Sequence, residues 1–490
     1  MTNNKLKLED MFYGTTFDDF LLRPQFSILK TRKEADLTMS LSRNIKISTP
    51  IVGANMDTVT REKMMQTLSL EGCFGFLDRN CSIEEQVARV RYVKRQHSYI
   101  IENPTILPRK STVGEAKKIV EAQNVGGLLV EDEPGSGILA GILSHRDMLA
   151  ADGNYGEAVE KYMTPFKKII YASPTITTDK AEKIMLEKRI EKLPLIDGER
   201  RIKGLITMRD LRLHKNNPYS TKDSKGRLLV GATTGVTGNY MERAEALIRA
   251  GADCILMDIA HSHSEAMKKG ILEFKKKFKD TELVCGNVGT AEGARFLMEL
   301  GADAVKVGIG PGRGCRTRLE VGVGVPQLQA IREAYLAVGD KIPVIADGGA
   351  KNDKDIAMAL ICGASTVMLG SMLSGTDESP GVVAEDPVQK RKVKIYRGMT
   401  SIEAVLDSTG VGANAGEILR NAQAQEGQSI SVPYVGSVRD VIHRIRDHLR
   451  STVSYSGEEN LFNARAKISV SPAKYLTRLS GSSKRESWDR

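Results

Sequence analysis

The run Lys306-Val307-Gly308-Ile309-Gly310-Pro311-Gly312-Arg313-Gly314-Cys315-Arg316-Thr317-Arg318 passes from an aliphatic, β-like segment into a glycine-dense loop. It sets one thiol, Cys315, among glycines and bases. Glycine admits positive φ angles and lets backbone approach a ligand closely. Neighbouring cations favour the thiolate, the form in which cysteine is a nucleophile. Taken alone, these residues describe either a reactive thiol presented on a ligand-hugging loop or a tight turn around a half-buried one.

The elements that must position this loop are short aliphatic runs. Thr49-Pro50-Ile51-Val52-Gly53 and Gly72-Cys73-Phe74-Gly75-Phe76 read as strands, each followed by a helical pattern, over about 61–70 and Ile83 to Arg95. The rhythm stops near residue 97 and resumes near 227. It then runs through 228–231, 254–258, 283–287, 304–308, 343–347 and 366–370, with helical patterns such as Ala244 to Ala250 and Ala291 to Leu300 between them. Eight such strand–loop–helix units predict an α/β fold, a (β/α)8 TIM barrel, whose functional groups sit at the C-terminal strand ends. Asn55, Asp258, Asn287, Cys315, Asp347 and Ser371 all fall at such ends. An open doubly wound sheet with a dinucleotide site would carry a GxGxxG opening its first helix, and none is present.

The interruption, 97–220, contains an internal repeat. Ser111-Thr112-Val113, Gly127-Leu128-Leu129-Val130 and Leu139 to Asp147 form one copy; Thr177-Thr178, Leu193 to Asp197 and Ile202 to Asp210 form the other. Each copy is too short to bury a good core by itself, so the two are expected to pack together. The pair resembles a tandem of cystathionine β-synthase (CBS, or Bateman) modules, which bind adenine or guanine nucleotides. That resemblance implies that Ser144, Arg146, Asp147, Thr207, Arg209 and Asp210 hold ribose and phosphate; read as structure, they cap the following helices. The expected division is therefore 1–96 and 221–490 for a catalytic barrel, and 97–220 for a regulatory domain.

Composition narrows the class. The 490 residues are 41% hydrophobic and 27% charged, as in a folded globular protein, while aromatics make up only 5%, too few for a stacking platform for nucleic acid. The net charge of +10 favours anionic partners, but the bases are interspersed with acids, so a polynucleotide partner is not expected. Six cysteines match neither a zinc pattern nor a compact disulfide frame, which points to a reducing compartment. No signal peptide or membrane-spanning run is visible, and a cytoplasmic location is expected. A glycine-bearing segment over about 397–432 reads as a mobile flap, Val438 to Leu449 as a helix, and the last forty residues as a polar tail.

With these pieces in place, the whole chain resembles the inosine monophosphate dehydrogenase and guanosine monophosphate reductase family. The resemblance rests on Ala54-Asn55-Met56-Asp57-Thr58-Val59, Gly286-Asn287-Val288, Lys306 to Cys315, Gly322 to Gln327, Ala346-Asp347-Gly348-Gly349, Met368-Leu369-Gly370-Ser371, Glu378-Ser379, Tyr396-Arg397-Gly398-Met399 and Glu426-Gly427. It implies that Cys315 attacks purine C2 covalently, with Thr317 handling protons and orienting the nicotinamide, and Glu378 as its acidic partner. It further implies that Asp347 accepts the ribose hydroxyls and that Gly348, Gly349, Gly370, Ser371 and Tyr396 hold phosphate. Asn55, Gly398, Met399, Glu426 and Gly427 complete the substrate site, the last three reading the purine edge. Asp258 and Asn287 would floor the cofactor side with Thr317 and Glu378, and the carbonyls of Gly310, Gly312 and Cys315 match those that hold a monovalent cation, K+, in some members.

The loop departs from the family wording Gly-Ser-x-Cys-Thr-Thr, because Arg313 replaces the serine and Arg316 adds a second cation. Arg313 is expected either to take over phosphate binding or to point outward. Two reactions compete. The dehydrogenase oxidises inosine monophosphate (IMP) to xanthosine monophosphate with NAD and needs an Arg-Tyr pair in its flap to activate water; residues 400–430 contain no tyrosine. The reductase needs no hydrolytic base, and the reading falls on NADPH-dependent reduction of guanosine monophosphate (GMP) to IMP and ammonia. Against it stands the inserted tandem, which dehydrogenases carry more often. Family members form tetramers, and inserted lobes pair them into octamers, so a similar homo-oligomer is expected, with regulatory purine nucleotides at the inserted modules.

Overall fold

Each aliphatic run becomes a strand of a closed, all-parallel barrel in the computed structural model. It describes residues 11–95, 100–101, 104–123, 125–151, 153–209, 211, 217–223, 226–388, 390–409 and 426–488. The barrel strands are β1 (Ile51–Gly53), β2 (Phe74–Leu77), β3 (Gly231–Thr234), β4 (Cys254–Asp258), β5 (Glu282–Val288), β6 (Ala304–Val307), β7 (Val344–Asp347) and β8 (Thr366–Leu369). Pairing runs from β1 to β8 in chain order and closes between β8 and β1. Strands buried on both faces demand near-continuous apolar sequence, which is why these runs do not alternate.

The enclosing helices are α1 (Glu62–Leu70), α2 (Ile83–Arg95), α3 (Tyr240–Ala250), α4 (Glu265–Lys277), α5 (Ala291–Glu299), α6 (Gln327–Val338), α7 (Asp353–Cys362) and α8 (Val438–Ser456). Side-chain oxygens of Ser264, Thr290, Asn352 and Ser437 accept backbone N–H groups at the starts of α4, α5, α7 and α8. Such caps satisfy donors that helix geometry leaves open and set where each helix begins.

The third strand lies three residues later than expected. Leu228 to Val230 are buried below the barrel, where Val230 N–H donates to Asp253 at 2.7 Å, and the ladder with β4 starts only at Gly231 opposite Cys254. The last forty residues are not a polar tail. A helix over Leu461–Val470 buries Leu461, Ala464 and Ile468, and the strand Leu476–Arg478 pairs antiparallel with Phe20–Leu22. Its partner lies at the opposite end of the chain, so no local pattern announces it. The helix Val438 to Leu449 extends to Ser456, and Gly457 ends it in a left-handed conformation, φ 75°.

Residues 97–218 with 224–227 form a second compact unit; 1–96, 219–223 and 228–490 form the first. In the second unit the repeat appears as a helix and a hairpin twice over: Val113–Gln123 with Gly127–Glu131 and Leu139–Ser144, then Thr178–Lys188 with Lys192–Ile196 and Ile202–Thr207. The copies bridge between Ile138 and Arg201, and Leu129, Leu139, Ile169, Ile196 and Leu205 share one buried cluster. No described helix is long and apolar enough to cross a membrane.

Candidate active site

The cysteine loop follows β6, and its glycines are required by contact. Gly308 has φ +152°, and a Cβ there would come within 2.1 Å of the Asp347 carbonyl oxygen. A Cβ on Gly314 would meet the Gly398 nitrogen at 3.0 Å, so the loop lies directly against the turn that follows strand β9 (Lys392–Arg397). Cys315 N–H donates to Gly312 O at 3.0 Å, which turns the loop and half-buries the thiol. The same carbonyl was expected to help hold a cation with those of Gly310 and Cys315; the loop's own turn competes for it.

Two segments from the end of the barrel close over the thiol. Arg316 N–H donates to Glu426 O at 2.7 Å, Cys315 bridges to Gly427, and Gln428 N–H donates to Gly314 O at 3.0 Å. Strand β10 (Ser429–Pro433), paired antiparallel with β9, carries this strap.

Within it, Cys315 Sγ lies 3.1 Å from Thr317 Oγ1, and the Thr317 hydroxyl donates to Glu426 Oε2 at 2.5 Å. The acidic partner of Thr317 is thus Glu426, expected to read the purine edge. Glu378, expected in that role, instead accepts from Ser437 Oγ at 2.9 Å and Val438 N–H at 2.8 Å and stabilises the start of α8. A carboxylate at a helix N-terminus satisfies open donors and complements the helix dipole.

At the mouth of the barrel the expected polar residues form one network around a lysine that sequence reasoning did not single out. Lys306, 2% exposed, donates from Nζ to Asp258 Oδ1 at 2.9 Å, to Asp347 Oδ2 at 2.5 Å and to Asn287 Oδ1. Asn55 Nδ2 donates to Asp258 Oδ2 at 2.8 Å, and Asn287 Nδ2 to Asp347 Oδ2 at 2.9 Å. Burial opposes the charge on Lys306, yet the carboxylates of Asp258 and Asp347 outweigh it and hold the ammonium above the ordinary lysine range. The signal that would have found Lys306 is a lone charge inside an aliphatic strand.

Gly348 and Gly349 follow β7 with φ +85° and +88°, turning successive amides along one loop, the arrangement of an anion-binding nest. Ser371 opens a short helix, Ser371–Ser374, just after β8. The Tyr396 hydroxyl lies against Gly370, and burial pushes this phenol above its ordinary range. Gly398 is buried and Met399 half-buried in the turn after β9. Arg313 is exposed, and among the described residues only its backbone oxygen is tied down, by Gln428 Nε2 at 3.1 Å. Arg316 is engaged by Glu320 and Gln428.

In the inserted unit, Ser144 and Asp147 form a reciprocal helix cap, Ser144 N–H to Asp147 Oδ2 at 2.7 Å and Asp147 N–H to Ser144 Oγ at 3.3 Å. Arg146 and Arg209 are exposed and Thr207 half-buried; Asp210 lies outside the described residues, as does 410–425 of the expected flap.

A thiol, hydroxyl and carboxylate in series, beside a nest and half-buried carboxylates at the C-terminal mouth of a (β/α)8 barrel, suit covalent work on a phosphorylated small molecule. A model of the IMP dehydrogenase / GMP reductase domain matches residues 14–488. The inosine-5′-monophosphate dehydrogenases of Nitrosopumilus maritimus and Aquifex aeolicus are each 42% identical, covering 91% of this chain and 93% and 90% of theirs. A cysteine-to-alanine variant of GMP reductase from Trypanosoma brucei, solved with guanosine 5′-monophosphate, superposes with a TM-score of 0.84 at 37% identity over 97% of both chains. The same enzyme solved with guanosine 5′-triphosphate gives 0.75 at 34% identity. The chain belongs to the IMP dehydrogenase and GMP reductase family, oxidoreductases acting on a purine nucleoside monophosphate.

Proposed function

We propose that the protein is a GMP reductase, converting GMP and NADPH to IMP, ammonia and NADP through a covalent adduct on Cys315. The observation that carries this reading is the absence of any tyrosine, and hence of an Arg-Tyr pair, from residues 400–430. A dehydrogenase must hydrolyse its adduct, and water activation contributes about 10²- to 10⁴-fold. The inserted unit is no objection, since the T. brucei reductase is matched over 97% of both chains.

The proton inventory supports the thiol as nucleophile. Thr317 spends its one hydroxyl proton on Glu426, so in the resting site its oxygen is left to accept from the Cys315 thiol. Passing that proton along the series leaves a thiolate and a protonated Glu426. The thiolate forms the S–C2 bond, the chain returns the proton to the departing amine, and the C2–N bond breaks to release ammonia. NADPH, when bound, would supply the hydride that replaces the amine at C2; Cys315 departs as thiolate as the C–S bond breaks, and one proton from solvent restores the resting thiol. Asp347 accepts the ribose hydroxyls, and the Gly348–Gly349 nest, the Gly370–Ser371 turn, Tyr396 and Arg313 surround the phosphate. Asn55, Gly398, Met399 and Gly427 shape the purine pocket.

The loop after β4 suits a dinucleotide. His261 and His263 are exposed there, His263 lies 4.8 Å from Phe296, and the buried Ser262 Oγ has no partner among the described residues. Asp258 and Asn287 support this side from within the network, and Thr317 stands where the nicotinamide must approach. Residues 97–220 are a pair of CBS modules that bind regulatory purine nucleotides through Arg146 and Arg209, and the protein assembles as a tetramer or octamer.

The test follows absorbance at 340 nm. Protein with GMP and NADPH should lose absorbance and release ammonia, while protein with IMP and NAD should show no sustained turnover. Steady NADH formation in the second mixture establishes the alternative, IMP dehydrogenase, which the names of the 42% identical relatives favour. Silence in both mixtures overturns the two together.

A further inference from the structure

A buried ammonium in a barrel lined by aliphatic layers is costly, because the penalty for removing an ion from water is several kcal/mol. Lys306 is such a group, and its contacts say what it is for. Its three protons meet three oxygens, of Asp258, Asp347 and Asn287, so it has none left for a ligand. The two carboxylates it joins are unequal. Asp258 has both oxygens occupied, by Lys306 and Asn55, whereas Asp347 has Oδ2 occupied by Lys306 and Asn287 and Oδ1 unbonded among the described residues.

We propose that Lys306 is the positioning residue of the nucleotide site: it keeps a cation against Asp347, turns that carboxylate so that one oxygen faces the ribose hydroxyls, and ties it to Asp258. The inference rests on Asp347 as ribose acceptor. Without the ammonium, two carboxylates face each other at the barrel mouth with no cation between them, and the proton that relieves their repulsion falls on Asp347 or Asp258. The Tyr396 phenol interacts electrostatically with Asp347 and also with the Cys315 thiol and Arg313, and it stays neutral because burial raises it. Lys306 therefore governs how the site presents Asp347 to ribose, although it touches no substrate.

The test is calorimetric titration of GMP and of IMP between pH 5.5 and 8.5. Each variant is compared with wild type at the same pH, because the nucleotide phosphate itself takes up its second proton near pH 6, about the lower end of this range. In Lys306→Met, affinity should fall at least tenfold, with the loss growing as pH falls because protonated Asp347 is a poor acceptor. In the double variant Lys306→Met/Asp258→Asn the opposing charge is gone, so Asp347 ionises again and affinity should recover to within about threefold of wild type. A packing role predicts the opposite, a double variant worse than the single one. If Lys306→Met does not fold, the double variant alone decides: affinity near wild type at every pH supports the inference, and tenfold loss overturns it. Affinities of folded Lys306→Met within twofold of wild type at every pH overturn this inference alone. Wild-type protein that binds neither nucleotide removes the proposed function and the inference with it.

Discussion

Thr317 donates its hydroxyl proton to Glu426 at 2.5 Å across 109 positions of sequence, and its oxygen faces the Cys315 thiol at 3.1 Å. That relationship separates two glutamates with similar claims from sequence. Glu426→Gln removes the acceptor at the end of the series and should lower kcat by about 10²- to 10⁴-fold with little change in melting temperature. Glu378→Gln weakens a helix cap, so it should cost about 1 kcal/mol of stability and leave kcat within a few-fold. Steady-state kinetics beside thermal melts distinguish the two, and an inactive but stable Glu378→Gln reverses the assignment.

The cysteines should divide sharply in alkylation. Burial raises the thiols of Cys73, Cys254 and Cys285 well above the usual range and pushes Cys362 up to about 12. At pH 8 only about one Cys362 side chain in 10⁴ is then a thiolate. Because a raised pKa lowers the thiolate fraction below it, reactivity at these four should stay negligible until the protein unfolds. Cys81, half-buried and raised mainly by desolvation, should react slowly. Peptide mapping after brief iodoacetamide treatment should find label on Cys315 and show GMP protecting it.

Arg397 anchors the chain where it leaves β9. Its guanidinium bonds Asp57, which is almost fully buried, at 2.5 Å and Asp407 at 2.6 Å. Hydrogen bonding to Asp57 is the leading cause that holds it above the ordinary arginine range. Arg397→Met leaves Asp57 without that cation and should cost about 3 kcal/mol of stability. The short helix Ile402–Thr409 precedes the strap that carries Glu426, so kcat should also fall. Denaturant melts and GMP kinetics measure the two effects.

Replacing residues 97–218 by a short linker, which keeps 219–223 with the barrel unit, should leave basal activity within a few-fold and remove any response to added purine nucleotides. Arg146→Ala in the full chain should weaken that response without changing basal kcat. A truncated protein that is folded but inactive makes the inserted unit part of the barrel's machinery.

The barrel was legible because strands buried on both faces must be aliphatic and their C-terminal ends polar, so Asn55, Asp258, Asn287 and Asp347 stand out against their surroundings. Cys315 was legible because few other loops need so many glycines. What sequence did not distinguish was partnership. Glu378 and Glu426 are chemically identical and both near matching motifs; only the β9–β10 hairpin brings one to Thr317, while α8 claims the other. Lys306 read as one residue of a strand until three other strand ends converged on it. The polar-looking C-terminus acquired its buried face from a partner at the other end of the chain. Local pattern determined the elements and their exposed chemistry, since both depend on nearest neighbours. The pairing of acid with hydroxyl and of cation with carboxylate was decided by closure of the barrel, which brings into contact side chains that no local spacing relates.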